Sequence, residues 1–168
     1  DGLDPSTTLG PLVSRAQQQR VADSVAGAVS RGAKVLCGGS ATTEPAFGYQ
    51  ATVLAGVSPH DEILQDEIFG PVAPIVGCSD EQEMVRLAND VEYGLVSYVF
   101  TRDAAKGMRV AESLEAGMIG FNRGIVSDPA APFGGVKASG IGREGGNWSF
   151  DFYADVKNTV IAPNGWKE

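Results

Sequence analysis

Apolar residues recur along this chain at two alternating spacings, which predict helices that alternate with strands. Val21, Val25 and Val29 lie at the spacing of one helix face, and Ser14 with Gln17 has the form of a capping box that would start this helix. The predicted helices cover residues 14–32, 81–89 and 103–114.

Short apolar runs between the predicted helices indicate strands. They cover residues 34–36, 51–57, 72–76, 96–101 and 117–122. Strands that alternate with helices imply an α/β fold with a mainly parallel sheet and flanking helices. Residues 156–162 alternate again and predict a C-terminal strand, which needs a sheet edge of this chain or of another subunit.

Composition narrows the class of protein. The chain has 168 residues with 43% hydrophobic content, enough for one sizeable core, so one domain or most of one is expected. No apolar run approaches the roughly 20 residues that span a bilayer, and no signal peptide is visible, which favours a cytoplasmic protein without a membrane partner. The net charge is −8 and the basic residues are scattered, so no nucleic-acid partner is expected.

The cysteines and the single histidine offer little chemistry at these positions. Cys37 and Cys78 each adjoin an apolar strand-like run, which is typical of buried small hydrophobic residues, and no metal-ligand spacing is present. His60 lies in a Pro-His-Asp turn and is expected at the surface. A Cys–His pair formed in space stays open, because sequence does not show spatial adjacency.

Residues 140–145 match the dinucleotide fingerprint G-x-G-x-x-G in letters only. The fingerprint functions as a turn from a buried strand into a helix, within a complete βαβ unit. Here a poor strand precedes the glycines and little chain follows them. We therefore expect these glycines to let a loop pack closely against other backbone.

Residues 66–72 (DEIFGPV) place two carboxylates and an aromatic ring just before a predicted strand. Ligand sites of α/β sheets gather near strand ends, and a carboxylate can accept hydrogen bonds from a ribose diol. A phenyl face can limit where a planar ring lies. The alternative is an acidic surface turn whose Phe69 lies in the core, and spacing alone does not exclude it.

The same string resembles the E-x-F-G-P motif of the NAD(P)-dependent aldehyde dehydrogenases. In that family the glutamate binds the nicotinamide ribose and the phenylalanine contacts the nicotinamide. The resemblance therefore implies these roles for Glu67 and Phe69, with NAD or NADP as cofactor. Further strings similar to the family lie at residues 9–11, 93–95, 100–103, 117–122 and 132–144.

Within the family, residues 123–135 look most like those of succinate-semialdehyde dehydrogenases. The resemblance implies that Ser127 helps to hold the distal carboxylate of the substrate, beside arginines supplied elsewhere, and that Phe133 lines the substrate tunnel. A hydroxyl suits this task because it donates a charge-assisted hydrogen bond. The alternative for Ser127 is a loop serine bonded to its own backbone. Arg123 is a second candidate partner for the carboxylate.

The resemblance also implies what this chain lacks. In the family a cysteine thiolate attacks the aldehyde and a glutamate activates water for hydrolysis of the thioester. Both residues, the oxyanion asparagine and the nucleotide-binding domain are expected upstream of Asp1. No catalytic residue is therefore assigned, and the chain alone is expected to be inactive.

The same resemblance suggests a division of the chain and a state of assembly. Residues 1–150 are expected to belong to the catalytic domain, and residues 151–168 to a tail that forms a homodimer or homotetramer through the C-terminal strand. Two other interpretations stay open. The chain could be a stand-alone binding or oligomerisation module without catalysis, or a relative of the phosphorylating reductases, which the strings at 67–71 and 132–137 disfavour.

Overall fold

The computed structural model describes residues 2–43 and 46–161, which form two compact units divided between Leu87 and Ala88. The first unit contains α1 (Arg15–Ser30), β1 (Lys34–Cys37), β2 (Thr52–Ala55), a 3-10 helix (Glu62–Leu64) and β3 (Val72–Pro74). Helix α2 (Glu81–Asn89) contains the boundary. The second unit contains β4 (Tyr93–Gly94), β5 (Val96–Val99), α3 (Ala104–Ser113), β6 (Met118–Phe121), β7 (Val136–Lys137) and a 3-10 helix (Asn147–Phe152).

Helix α1 begins where the sequence predicts. Ser14 has extended backbone, and its Oγ accepts a hydrogen bond from the Gln17 amide at 3.2 Å, which satisfies one of the free amides of the first turn. Val21, Val25 and Ala28 face the core and are buried, while Val29 is exposed. Ala28 rather than Val29 therefore completes the inner face.

A three-stranded sheet in the order β1-β2-β3 packs beneath α1 in the first unit. Strand β2 is central and alternates buried with half-buried residues, so that Thr52 and Leu54 point into the unit. The buried residues of this core are Val21, Val25, Ala28, Ala33, Tyr49, Leu54, Val57 and Ile63.

The second unit is built on two short sheets. Strands β5 and β6 pair in parallel and are joined by α3, which packs on both of them. The N-cap of α3 is Asp103, whose carboxylate accepts from the Lys106 amide. Strands β4 and β7 pair antiparallel although they lie far apart in sequence.

The α/β class with flanking helices is confirmed, and the sheets are mixed rather than mainly parallel. Strands β2 and β3 are parallel, as are β5 and β6, whereas β1–β2 and β4–β7 are antiparallel. The physical reason is the connection, because a loop without a helix returns the chain from β1 to β2.

Residues 156–161, where the C-terminal strand is predicted, form no strand within this chain and are exposed. Ala162 lies outside the described residues, as does the remainder of the predicted tail to residue 168. Pairing of this segment with another subunit stays a prediction. In the described part of the chain, no helix combines the length and apolar character needed to span a bilayer.

Candidate functional site

The loop that carries Glu67 and Phe69 connects the first 3-10 helix to β3. Ile68 is half-buried and packs against the core, which roots the loop in the first unit. On either side of it Glu67 is exposed and Phe69 is 70% exposed. The alternative in which Phe69 lies in the core is therefore wrong for this chain. Both candidate cofactor residues present their side chains to solvent.

The backbone at Phe69 has an unusual conformation. Its φ is +47°, in the left-handed region that a residue with a β-carbon seldom adopts. Gly70 follows at once, and its α-carbon lies so near Val21 that an added β-carbon would be 2.6 Å from Val21 Cγ2. The loop therefore lies tightly on α1 at the point where it turns into β3.

Two side chains of α1 hold this loop through its carbonyl groups. Gln17 Nε2 donates to the Ile68 carbonyl at 2.9 Å and to the Phe69 carbonyl at 3.1 Å, and Arg20 Nη2 donates to the Glu67 carbonyl at 3.3 Å. The sequence places Gln17 in the capping box and gives no sign of this second role. The hydrogen-bond partner lies far along the chain, so no local signal identifies it.

The Glu67 carboxylate accepts no hydrogen bond from the described residues, and only its carbonyl is engaged. An exposed carboxylate with free lone pairs can accept two hydroxyl donors, such as those of a ribose diol. Beside it, the exposed Phe69 ring can bound the space of a flat ligand. The two side chains thus offer what a ligand with a diol beside a flat ring would need.

An ion pair braces the segment that leads into this loop. Asp61 is buried and caps the 3-10 helix by accepting from the Ile63 amide at 3.1 Å. Arg31 donates two hydrogen bonds to the same carboxylate, from Nε to Oδ2 at 3.0 Å and from Nη2 to Oδ1 at 2.5 Å. The hydrogen bond from Arg31 is the main cause that lowers the pKa of Asp61, and the same contact raises the pKa of Arg31.

Ser127 and Phe133 lie together in the second unit. They line one surface pocket of about 370 Å³. The other residues that line this pocket are Asp128, Pro129, Glu144 and Gly145. Ser127 is exposed, so its hydroxyl is accessible to a ligand. Arg123 is also exposed but does not line this pocket.

Backbone hydrogen bonds hold the pocket-lining segment that contains Phe133. Phe133 and Glu144 exchange two backbone hydrogen bonds, of 2.6 and 2.8 Å. Arg143 Nη1 donates to the carbonyls of Gly135 and Gly142, both at 2.7 Å. The G-x-G-x-x-G string is therefore part of a loop closed on itself, and it is followed by a 3-10 helix rather than by the helix of a nucleotide-binding turn.

Lys137 of strand β7 anchors this loop to neighbouring residues of the second unit. Lys137 Nζ donates to the carbonyls of Asn89 at 2.7 Å and Val91 at 3.2 Å, where α2 ends, and it pairs with Glu115 Oε2 at 2.6 Å. A cation at this position suits the negative end of the helix dipole. Lys137 thus ties the loop of residues 123–146 to the end of α2 and to Glu115, whereas the Phe133–Glu144 hydrogen bonds join two parts of the loop itself.

The structure distributes the four predicted site residues over the two units. Glu67 and Phe69 share one loop of the first unit, whereas Ser127 and Phe133 share one pocket of the second.

Among the remaining candidates from the sequence, the two cysteines have surroundings different from those expected. Cys37 and Cys78 are free and exposed, so the expectation that they are buried is wrong. Cys37 lies on the edge strand β1, whose residues are all exposed because no layer covers them. His60 is exposed, as expected. Among residues 2–43 and 46–161, no three His, Cys, Asp or Glu side chains cluster as metal ligands would.

A family model and several curated proteins match this chain over nearly its whole length. Residues 1–159 match the model of the aldehyde dehydrogenase family. A succinate-semialdehyde dehydrogenase of Paenarthrobacter nicotinovorans is 46% identical over 96% of this chain and 36% of its own length. A glutarate-semialdehyde dehydrogenase of Pseudomonas aeruginosa is 43% identical over 94% of this chain and 32% of its own length.

Solved structures give the same result. The succinate-semialdehyde dehydrogenase of Burkholderia pseudomallei has a TM-score of 0.86 and 44% identity, over 90% of this chain and 32% of that structure. An NADP-dependent enzyme of Escherichia coli has a TM-score of 0.89 and 41% identity, over 94% of this chain and 33% of that structure. The chain spans about a third of the length of these relatives.

Proposed function

Because the chain belongs to the aldehyde dehydrogenase family, we propose that it is the C-terminal portion of an oxidoreductase that converts an aldehyde into its carboxylic acid. The match of residues 1–159 to the family is the observation that carries this proposal. The favoured substrate is succinic semialdehyde. Glutaric semialdehyde, one methylene longer, is the competing substrate, because relatives of both names have similar identity to this chain.

The proposed cofactor is NAD(P)+, which accepts a hydride from the substrate when it is bound. Glu67 would accept hydrogen bonds from the ribose hydroxyls, and Phe69 would limit the position of the nicotinamide ring. Their exposure and the free lone pairs of the Glu67 carboxylate support these roles. The residues that distinguish NAD from NADP are proposed to belong to the nucleotide-binding domain, upstream of this chain.

The proposed substrate residues are Ser127 and Phe133. Ser127 would donate a hydrogen bond to the distal carboxylate, and the ring of Phe133 would line the path of the aldehyde. Their shared pocket supports this assignment, since its volume of about 370 Å³ leaves room for the semialdehyde of a short dicarboxylic acid.

The charges around the pocket add a requirement. Asp128 and Glu144 are the charged residues among those that line it, and both are acidic. A substrate carboxylate would be repelled by them unless basic groups act from beyond these lining residues. We therefore propose that arginines of other parts of the enzyme supply the main positive charge that binds the substrate carboxylate. The hydrogen bond from Ser127 would orient that carboxylate.

The nucleophile and the base are proposed to precede this chain, so the 168 residues alone should not oxidise aldehydes. We further propose that the complete enzyme is a cytoplasmic homodimer or homotetramer in which the segment after residue 150 contributes to the interface. The exposed apolar residues Val156, Val160 and Ile161 of this segment support that role, and Trp148 just before it is exposed as well.

The test is steady-state kinetics of the full-length protein with Ser127→Ala. The KM for succinic semialdehyde should rise by about tenfold, as expected for loss of one hydrogen bond to a charged group, while the KM for butanal should change little. Ser113→Ala is the matched control, since its hydroxyl bonds to the Arg109 carbonyl within α3.

Equal effects on the charged and the uncharged aldehyde would remove Ser127 from carboxylate recognition. A higher kcat/KM for glutaric than for succinic semialdehyde would assign the longer substrate. Absence of NAD(P)+-dependent oxidation of any aldehyde by the full-length protein would refute the proposed function and favour the stand-alone module.

A further inference from the structure

Three consecutive glutamines on α1 have three different targets. Gln18 is buried and its Nε2 donates to the Gly48 carbonyl at 2.8 Å, whereas Gln19 is exposed and donates to Asp23 Oδ1 at 2.8 Å on the helix surface. Gln17 is half-buried and donates to the carbonyls of Ile68 and Phe69. Of the three amides, that of Gln17 alone reaches the loop that carries the proposed cofactor residues.

The double contact of Gln17 depends on the conformation of Phe69. Successive carbonyl groups of an extended chain point to opposite sides, so one nitrogen could not bond to both. The left-handed backbone of Phe69 turns its own carbonyl and that of Ile68 toward the same nitrogen. Gln17 therefore favours the left-handed conformation over the extended one that a β-carbon prefers.

We propose that Gln17 is a positioning residue for the cofactor, which keeps Phe69 left-handed so that the Phe69 ring and the Glu67 carboxylate are held outward from α1. The proposal rests on the cofactor roles given to these two residues under the proposed function. Without the amide, residues 67–69 would sample extended conformations, and the population ready to bind NAD(P)+ would fall. The apparent affinity for the cofactor decreases in proportion to that population.

The test uses the full-length enzyme with Gln17→Met, which keeps the length of the side chain and removes both donors. The KM for NAD(P)+ should rise by about threefold to tenfold, the range expected for one net hydrogen bond, while the KM for the aldehyde stays unchanged. Hydrogen–deuterium exchange without cofactor should become faster in the peptide that contains residues 66–70. Gln17→Lys restores a donor of similar reach and should recover part of both properties. Gln19→Met is the control on the same helix and should change neither.

The outcomes separate this proposal from the function on which it rests. An unchanged cofactor KM in Gln17→Met, or a raised KM without faster exchange, overturns the positioning role while Glu67→Gln still raises the cofactor KM. Failure of Gln17→Lys to recover either property also overturns it. An unchanged cofactor KM in both Glu67→Gln and Phe69→Ala refutes the proposed cofactor site, and the role of Gln17 with it.

Discussion

Replacing Gly70 by alanine should destabilise the first unit, because the new β-carbon would overlap Val21. The β-carbon would be 2.6 Å from Val21 Cγ2 and 3.2 Å from Cγ1, whereas carbon atoms in good contact are roughly 3.5–4.0 Å apart. Val21 has no exposed surface and is branched at its β-carbon, so it cannot turn away. The overlap must be relieved by movement of the loop away from α1.

The expected cost follows from two opposing terms. Overpacking of a core costs about 1–3 kcal/mol, while Gly→Ala at an ordinary φ gains about 0.4–1 kcal/mol by restricting the unfolded chain. Gly70 is not left-handed, so the second term applies. The net loss should be about 1–2 kcal/mol in the free energy of unfolding. Gly77→Ala is the matched control, since its β-carbon would meet nothing within 4 Å, and it should be neutral or slightly stabilising.

The assay is urea unfolding of the 168-residue chain, followed by far-UV circular dichroism. A double-mutant cycle with Val21→Ala isolates the contact, because that change removes the two methyl groups that Gly70→Ala would strike. In the Val21→Ala background, Gly70→Ala should therefore be neutral or stabilising. Equal stabilities of Gly70→Ala and Gly77→Ala, or a cycle without coupling, would refute the packing of this loop on α1.

Two further predictions concern the ion pairs of the two units. Asp61→Asn should destabilise the chain above about pH 4, and the difference from the unsubstituted chain should shrink as the pH falls, because a lowered pKa in the folded state gives stability that protonation removes. A constant difference between pH 2 and pH 7 in urea unfolding would contradict it. Lys137→Met should destabilise the second unit by about 1 kcal/mol through loss of two hydrogen bonds and an ion pair from a solvent-accessible charged donor, while Lys157→Met, whose side chain bonds to none of the described residues, should not. Urea unfolding measures both, and equal midpoints would refute the role of Lys137.

The sequence predicted the helices and longer strands because their signals are local. Ser14 and Asp103 cap their helices as expected, since a cap needs only the next few residues. The two-residue strands β4 and β7 were missed, because they are too short for any periodicity. Their pairing involves a close approach at Gly94, where a β-carbon would lie 2.8 Å from Cγ2 of its partner Val136.

The sequence nominates residues for the candidate site, but it does not show the contacts that support them. The motif resemblance selected Glu67 and Phe69, and spacing alone left Phe69 undecided between core and surface. Gln17 could be assigned only to the helix start, because the carbonyls that it contacts belong to a different element. The exposure of Cys37 escapes prediction for a similar reason, since an apolar run is buried only when another layer covers it.

The three adjacent glutamines of α1 should differ in how readily each accepts substitution during evolution, although the three residues are identical. Substitution of Gln18 would remove one of the two hydrogen bonds to the buried Gly48 carbonyl, which also accepts from the Thr42 amide, whereas Gln19 only joins a surface pair. Among homologous chains, variation should therefore be greatest at the third glutamine and least at the second. A single-residue deletion ahead of the tract would rotate every amide by about 100° to the wrong neighbour, so insertions and deletions should be rarer here than substitutions.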